Sequence, residues 1–233
     1  MNVLITGATK GIGKAIAIQY AQHGHTLLLC SRNSSNLLAA QLELTALHPS
    51  TVVHTYTADV SSTQACNELA TWCLATVPYI HVLVNNAGVY LPGSIHSEPA
   101  GQLELMMATN LYSAYTITRA ILPSMIARQQ GHIINIASIA STQAYPNGGS
   151  YSISKYALLG LSNNLREELK PHHIKVTAVL PGAVYTHSWS GSGVDPERIM
   201  HANDVAIMVY ASTQLSTQAV VENMVLRPQL GDL

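Results

Sequence analysis

Short, continuous apolar runs alternate along this chain with longer segments whose apolar residues recur at helical spacing. The runs are Val3–Ile5, Thr26–Ser31, Val52–Tyr56, His81–Val84, His132–Ala137, Lys175–Leu180 and Met224–Pro228. A run that stays apolar, without alternating, is what a strand covered on both faces requires. Between them, helices are predicted from the glycine-rich turn through Ile16, Tyr20 and Ala21 to Gly24, and from Asn36 to Leu47, where His48-Pro49 stops the pattern. Further helices begin near Thr63 and span Gln102–Asn110, Leu111–Arg128, Ser150–Lys170 and Asp204–Ser212. Strand and helix alternate with no linker, repeat or low-complexity tract. The pattern predicts an α/β fold: one doubly wound parallel sheet with helices on both faces, forming a single domain over residues 1–233.

Composition narrows the function. Apolar residues make up 48% of the chain and charged residues 10%, with a formal net charge of −1. A nucleic-acid binder usually carries a basic stripe, and a disordered chain needs low hydrophobicity and high charge. Neither description fits. No apolar run is long enough to span a bilayer, and the first residues lack the basic region of a signal peptide. Cys66 and Cys73, seven apart, read as buried side chains of one helix, and with Cys30 they make an odd number. The expectation is a reduced, cytoplasmic protein with no membrane partner, no nucleic acid and no metal.

The first strand runs into Gly7-Ala8-Thr9-Lys10-Gly11-Ile12-Gly13 and then a helix. Strand, glycine turn and helix together place a helix N-terminus against a phosphate, with glycines permitting close backbone approach. A P-loop is excluded. Aligning Gly13-Lys14 with its G-K puts Ala8 at the first glycine and Ala15 where a hydroxyl must bind magnesium. The second strand ends in Ser31-Arg32, with no acidic residue beside it. In a dinucleotide fold an acid there selects NAD, and an arginine accommodates a 2′-phosphate. Arg32, with Lys10 in the turn, therefore points to NADP(H), unless Arg32 is a solvated loop residue. Asp59-Val60 either meets adenine, or Asp59 or Ser61 caps the helix that follows. Asn85-Asn86-Ala87-Gly88 either brings backbone to a cofactor or makes an ordinary turn.

Tyr151 and Lys155 stand four apart in a predicted helix, so their Cβ atoms lie about 5–6 Å apart on one face. A free phenol, with a pKa of about 10, is a poor base near neutrality, and an adjacent cation favours its ionised form.

Taken in order, Thr6 to Gly13, Asp59-Val60, Asn85 to Gly88, Asn110, Ser138, Tyr151-x-x-x-Lys155 and Pro181-Gly182 resemble the motifs of the "classical" short-chain dehydrogenase/reductases, over about residues 1–186. The resemblance implies a Rossmann fold and assigns roles. Tyr151 would be the general acid/base, Lys155 would lower its pKa and bind the nicotinamide ribose, and Ser138 would hold the substrate oxygen. Asn110 would organise a water chain from Lys155, and Thr186 would contact the nicotinamide carboxamide. The implied cofactor site comprises Gly7, Thr9, Lys10, Gly11, Ile12, Gly13, Ser31, Arg32, Asp59, Val60, Asn86, Ala87, Gly88, Tyr151, Lys155, Pro181, Gly182 and Thr186. Residues from about 186 to 202, with His187-Ser188-Trp189 and the flexible Gly191-Ser192-Gly193, would form a short substrate lid or a solvated loop. The implied activity is NADPH-dependent reduction of a small carbonyl compound to an alcohol, or the reverse, in a homodimer or homotetramer. The competing expectation is a catalytically silent NADP(H)-binding sensor or scaffold.

Overall fold

The computed structural model describes residues 1–186, 189 and 193–232. Seven parallel strands form its central sheet: β1 (Asn2–Thr6), β2 (Thr26–Ser31), β3 (Val52–Thr57), β4 (Val82–Asn85), β5 (Gly131–Ile136), β6 (Ile174–Pro181) and, near the C-terminus, β9 (Asn223–Leu226). Their order is β3-β2-β1-β4-β5-β6-β9. The connection direction reverses between β1 and β4. In open α/β sheets, ligands bind at such a switch point, outside the carboxyl ends of the strands.

Side chains of successive strand residues point to opposite faces, and the two apolar layers divide accordingly. Val3 and Ile5 of β1, with Leu27 and Leu29 of β2, meet helices α1 (Gly11–Gln22), α2 (Ser34–Thr45) and α7 (Ala202–Thr213), through Ile16, Leu37 and Val205 among others. Leu4 and Leu28, one residue along, face α3 (Thr63–Thr76), α5 (Ser113–Arg128) and α6 (Gly149–Leu169), through Cys66, Cys73, Ile117 and Leu165. Every residue of β5 is buried, which is why its sequence shows no alternation. All three cysteines are free and buried. No helix among the described residues is long and apolar enough to cross a membrane.

Most predicted elements stand within two or three residues of their expected bounds. The predicted boundary at Asn110–Leu111 is instead a continuous path. Helix α4 (Gln102–Met107) passes through a π-helical turn, Ala108–Tyr112, into α5. The cap of α3 is neither Asp59 nor Ser61 but Ser62, whose hydroxyl accepts from Ala65 N at 3.3 Å. Two short strands that the apolar pattern does not reveal, β7 (Val184–Tyr185) and β8 (Met200–His201), pair in parallel. They clamp the two ends of the segment expected to be a lid.

Candidate active site

A cavity of about 1420 Å³ opens at the carboxyl ends of the strands. Gly7, Thr9, Lys10, Gly11 and Ile12 line it after β1, Ser31 and Arg32 after β2, and Asp59 and Val60 after β3. Asn86, Ala87 and Gly88 follow β4, Ser138 follows β5, and Pro181, Gly182 and Thr186 end or follow β6. Tyr151 and Lys155 reach it from α6. The structure thus gathers nearly every predicted site residue around one space; Asn110 and Gly13 stand behind its wall.

Gly13 explains its own absence from the lining. A Cβ there would lie 2.3 Å from Asn86 Nδ2 and 2.4 Å from the Gly7 carbonyl oxygen. Only a glycine lets α1 pack this closely under the turn. Gly7 and Gly11 have φ of +64° and +52°, in the left-handed region that favours glycine. A Cβ on Gly11 would sit 3.1 Å from Thr186 Cγ2, so the turn after β1 and the segment after β6 meet here. Asn86 works as a staple. Its Nδ2 donates to Thr6 O at 2.9 Å and Gly7 O at 3.1 Å, while Thr6 Oγ1 accepts from the Asn86 and Ala87 amides at 3.1 and 3.0 Å. Thr9 and Ser31 share a hydroxyl–hydroxyl hydrogen bond of 3.1 Å, and Lys10 and Arg32 are exposed at that end of the cavity. Asp59 holds the amide of Ser61 at 3.0 Å and its hydroxyl at 2.8 Å. Those bonds, with a smaller contribution from the Arg32 charge, keep its carboxyl below the ordinary range.

At the other end, Lys155 is buried and its Nζ donates to Ile136 O at 2.8 Å, at the last residue of β5. Burial lowers its pKa to about 8. The same Nζ lies 5.8 Å from the centre of the Tyr151 ring. Burial pushes the Tyr151 phenol above its ordinary value, and the opposing influence is its hydrogen bond with Ser138. This departs from the expected depression of the phenol by Lys155: at this separation the cost of burying a phenolate dominates. Ser138 also caps the turn Ile139–Ser141, accepting from Ala140 N at 3.1 Å.

Asn110 is almost fully buried, and its amide is committed to protein. Oδ1 accepts from Val89 N at 2.8 Å, and Nδ2 donates to Val89 O at 3.0 Å and Ser154 Oγ at 2.9 Å. Its side chain thus fixes the chain leaving β4, and its hydrogen bonds go to Val89 and Ser154 while that of Lys155 goes to Ile136 O. Of the expected lid, His187, Ser188, Ser190, Gly191 and Ser192 lie outside the described residues, whereas Trp189 lines the cavity.

Sequence reasoning missed several lining groups. Tyr90 packs edge-to-face on Tyr151, with ring centres 4.9 Å apart at 79°. Tyr145 stands beside it, and Arg227 and Asp232 pair with each other on the side of Gly182. All four sit in irregular segments or near the chain end, where neither apolar period nor motif marks them.

Comparison with known proteins agrees with this geometry. The chain is 34% identical over 241 residues to sepiapterin reductase of Chlorobaculum tepidum, covering 99% of this chain and 97% of that one. Among solved structures it is similar to a metagenomic short-chain oxidoreductase in complex with NADP, with a TM-score of 0.85 at 31% identity, covering 98% of this chain and 97% of the other. It is also similar to an alcohol dehydrogenase of Thermococcus sibiricus complexed with 5-hydroxy-NADP, with a TM-score of 0.90 at 27% identity over 98% and 96% of the two chains. The sequence profile of the short chain dehydrogenases matches residues 1–195, and the chain belongs to that family of oxidoreductases.

Proposed function

We propose that the chain is an NADPH-dependent reductase of a small carbonyl compound, with Tyr151 delivering the proton. One observation carries this reading. Tyr151, Ser138 and Lys155 meet at one end of a cavity whose other end presents Lys10 and Arg32. The residues fit a dinucleotide phosphate: Gly7 and Gly11 give the turn its left-handed backbone, Gly13 lets α1 start close beneath it, and the cations Lys10 and Arg32 line the end where a 2′-phosphate would lie. Two structural neighbours carry NADP or a derivative of it. Gly7, Thr9, Gly11 and Ile12 would cradle the pyrophosphate, with Gly13 letting α1 approach. Ser31, Arg32 and Lys10 would hold the adenosine phosphate, Asp59 and Val60 the adenine, and Asn86, Ala87, Gly88, Pro181, Gly182 and Thr186 the remainder. The bound cofactor supplies the hydride.

This chain's residues manage the proton and the orientation. A phenol raised by burial stays protonated at neutral pH, which is the state needed to give a proton to a carbonyl oxygen. The same shift moves oxidation, which needs the phenolate first, to higher pH. Ser138 positions the oxygen beside the phenol. Lys155, anchored on Ile136 O, presents an ammonium below about pH 8. Asn110 acts through Val89, by fixing the segment against which the substrate would lie. Trp189, which lines the cavity after β7, would lie against the substrate.

We also infer a homodimer or homotetramer, because Tyr112, Tyr115, Ile153 and Tyr156 are between 41% and 53% exposed along the path from the π-helical turn through α5 and on α6. Light scattering on the purified protein tests it, and a monomer at micromolar concentration would refute it. For the activity, fluorescence titration with NADPH and NADH should show clear preference for NADPH. Tyr151→Phe should abolish turnover while binding NADPH as the parent does. Full activity in that variant would remove the assigned acid.

A further inference from the structure

Beside the reacting centre stands a built aromatic wall that cofactor binding and proton delivery leave unused. Tyr90 presents its ring to Tyr151 at 4.9 Å, and Tyr145 lines the same cavity beside them. Tyr90 is 44% exposed and Tyr145 37%, and both line the cavity together with Trp189. Rings left this open beside a catalytic phenol have their faces available to a ligand.

The two tyrosines come from different segments, and the structure fastens those segments together. Gly93 N donates to Asn147 O at 3.1 Å, and Ser94 Oγ donates to Asn147 Oδ1 at 2.9 Å. The Glu98 carboxylate accepts from the amide of Ser150, at 3.2 Å, and from its hydroxyl. It thereby ties the segment after Tyr90 to the first turn of α6, next to Tyr151. A Cβ at Gly149 would lie 2.4 Å from Gly93 O. The contact is therefore close enough to demand glycine. Tyr90, Tyr145 and Tyr151 are held in one arrangement by six residues that touch no reacting atom.

Charge narrows what the wall receives. The cavity's ionic side chains other than Lys155 lie elsewhere: Lys10, Arg32 and Asp59 at the adenosine end, Arg227 and Asp232 paired beside Gly182. Around Tyr90 and Tyr145 the lining is neutral: Pro92, Gln143, Pro146 and Asn147. Among the described residues, none there compensates a carboxylate or a phosphate. Flat phenol faces with amide and hydroxyl groups at the rim suit an uncharged, planar ring.

We propose that Tyr90 and Tyr145 form the specificity wall of this site, selecting uncharged planar aromatic aldehydes and ketones over aliphatic ones by stacking beside Tyr151. The proposal rests on the reductive reading above. The carbonyl carbon gains the cofactor's hydride, its oxygen gains the Tyr151 proton, and the products are an aromatic alcohol and oxidised cofactor.

The test compares kcat/KM for 4-nitrobenzaldehyde and hexanal, with NADPH, in the native chain and in Tyr90→Ala, Tyr145→Ala and Tyr145→Phe. The native chain should prefer the aromatic aldehyde. Each alanine variant should lower the aromatic-to-aliphatic ratio by about fivefold to tenfold, chiefly through KM for the aromatic aldehyde. Tyr145→Phe should keep more of the ratio than Tyr145→Ala, because the ring remains. A structural role alone would depress both substrates together and leave the ratio fixed. A native ratio near one, or a ratio unmoved in both alanine variants, overturns the wall and leaves the reductive reading standing. Turnover of neither aldehyde by a native chain that binds NADPH overturns the reductive reading, and the wall with it.

Discussion

Replacing Gly13 by alanine sets two effects against each other, and the structure decides between them. Gly13 lies in the first turn of α1, where alanine alone would add about 1 kcal/mol of helix stability. The new Cβ, however, would stand 2.3 Å from Asn86 Nδ2 and 2.4 Å from Gly7 O. The carbonyl belongs to backbone at φ +64° and cannot rotate away as a side chain can. Either α1 moves off the sheet or Asn86 leaves its two acceptors, Thr6 O and Gly7 O. Overpacking costs about 1–3 kcal/mol and stranding buried acceptors about 1–3 more. With the helix gain subtracted, Gly13→Ala should lose about 1–5 kcal/mol, or roughly 2–20 °C in melting temperature for a chain of this size. Gly160, in α6, is the control: a Cβ there meets nothing within 4 Å, so Gly160→Ala should hold or raise stability. Urea and thermal unfolding of the two variants read the difference, and NADPH titration reads the turn. A Gly13→Ala protein as stable as its parent, or the two variants moving in the same direction, would refute the reasoning.

Acid should unfold the protein through its histidines. Burial lowers the pKa of His25 and of His81 to about 4 and that of His132 to about 3, from an ordinary 6.5. Below pH 6.5 the unfolded chain therefore takes up protons that the folded chain refuses. Stability is full above that value and falls as pH drops toward 4; buried His132 contributes up to about 1.4 kcal/mol per pH unit, and the half-exposed His25 and His81 contribute less because solvent screens them. A urea midpoint flat from pH 7 to 4.5 would contradict this. His132 Nε2 must donate to Thr177 Oγ1, at 2.7 Å, because that hydroxyl donates to Val221 O at 2.6 Å; His132→Gln should flatten the acid slope by about one proton. For Lys155, with a pKa of about 8, kcat/KM for reduction should fall above pH 8 as the ammonium is lost, and Lys155→Arg should carry the break upward; a profile level to pH 9.5 would sink the role. Arg32→Asp should weaken NADPH binding by about 10- to 100-fold, the worth of a charge-assisted phosphate contact, and raise preference for NADH, read by titration.

How far the chain could be read without coordinates follows from the range of each interaction. β2 is local: six residues, apolar on both faces, with predicted and observed bounds the same. The glycine turn is also local, and its spacing alone excludes a P-loop. Asn110 is different. Its partners Val89 and Ser154 stand 21 and 44 residues away, and no periodicity encodes a π-helical turn that aims one amide at both. The cap of α3 lay among three neighbouring polar residues, and hydrogen-bond geometry alone separates Ser62 from Asp59 and Ser61. Tyr90 and Tyr145 were illegible because each sits in an irregular segment, and only folding brings the two together.

The candidate residues share a physical duty that precedes catalysis. A parallel strand that stops at a cleft leaves backbone groups beyond its ladder, and buried groups of this kind must find partners. Here side chains of the site supply them. Asn86 takes Thr6 O at the end of β1, and Lys155 takes Ile136 O at the end of β5. Asn110 takes both backbone groups of Val89 beyond β4, and Ser138 reaches Pro181 O at the end of β6 at 3.4 Å. Replacing Asn110 by alanine therefore leaves the half-buried amide and carbonyl of Val89 without these partners, as well as removing any part in proton flow. Its loss of activity would come with lower stability and a displaced Val89–Tyr90 segment. Asn110→Asp separates these contributions, because a carboxylate keeps the bond from Val89 N and gives up both donations. The position of these polar groups, at once strand terminators and site walls, ties the chemistry to the sheet ends more firmly than any loop does.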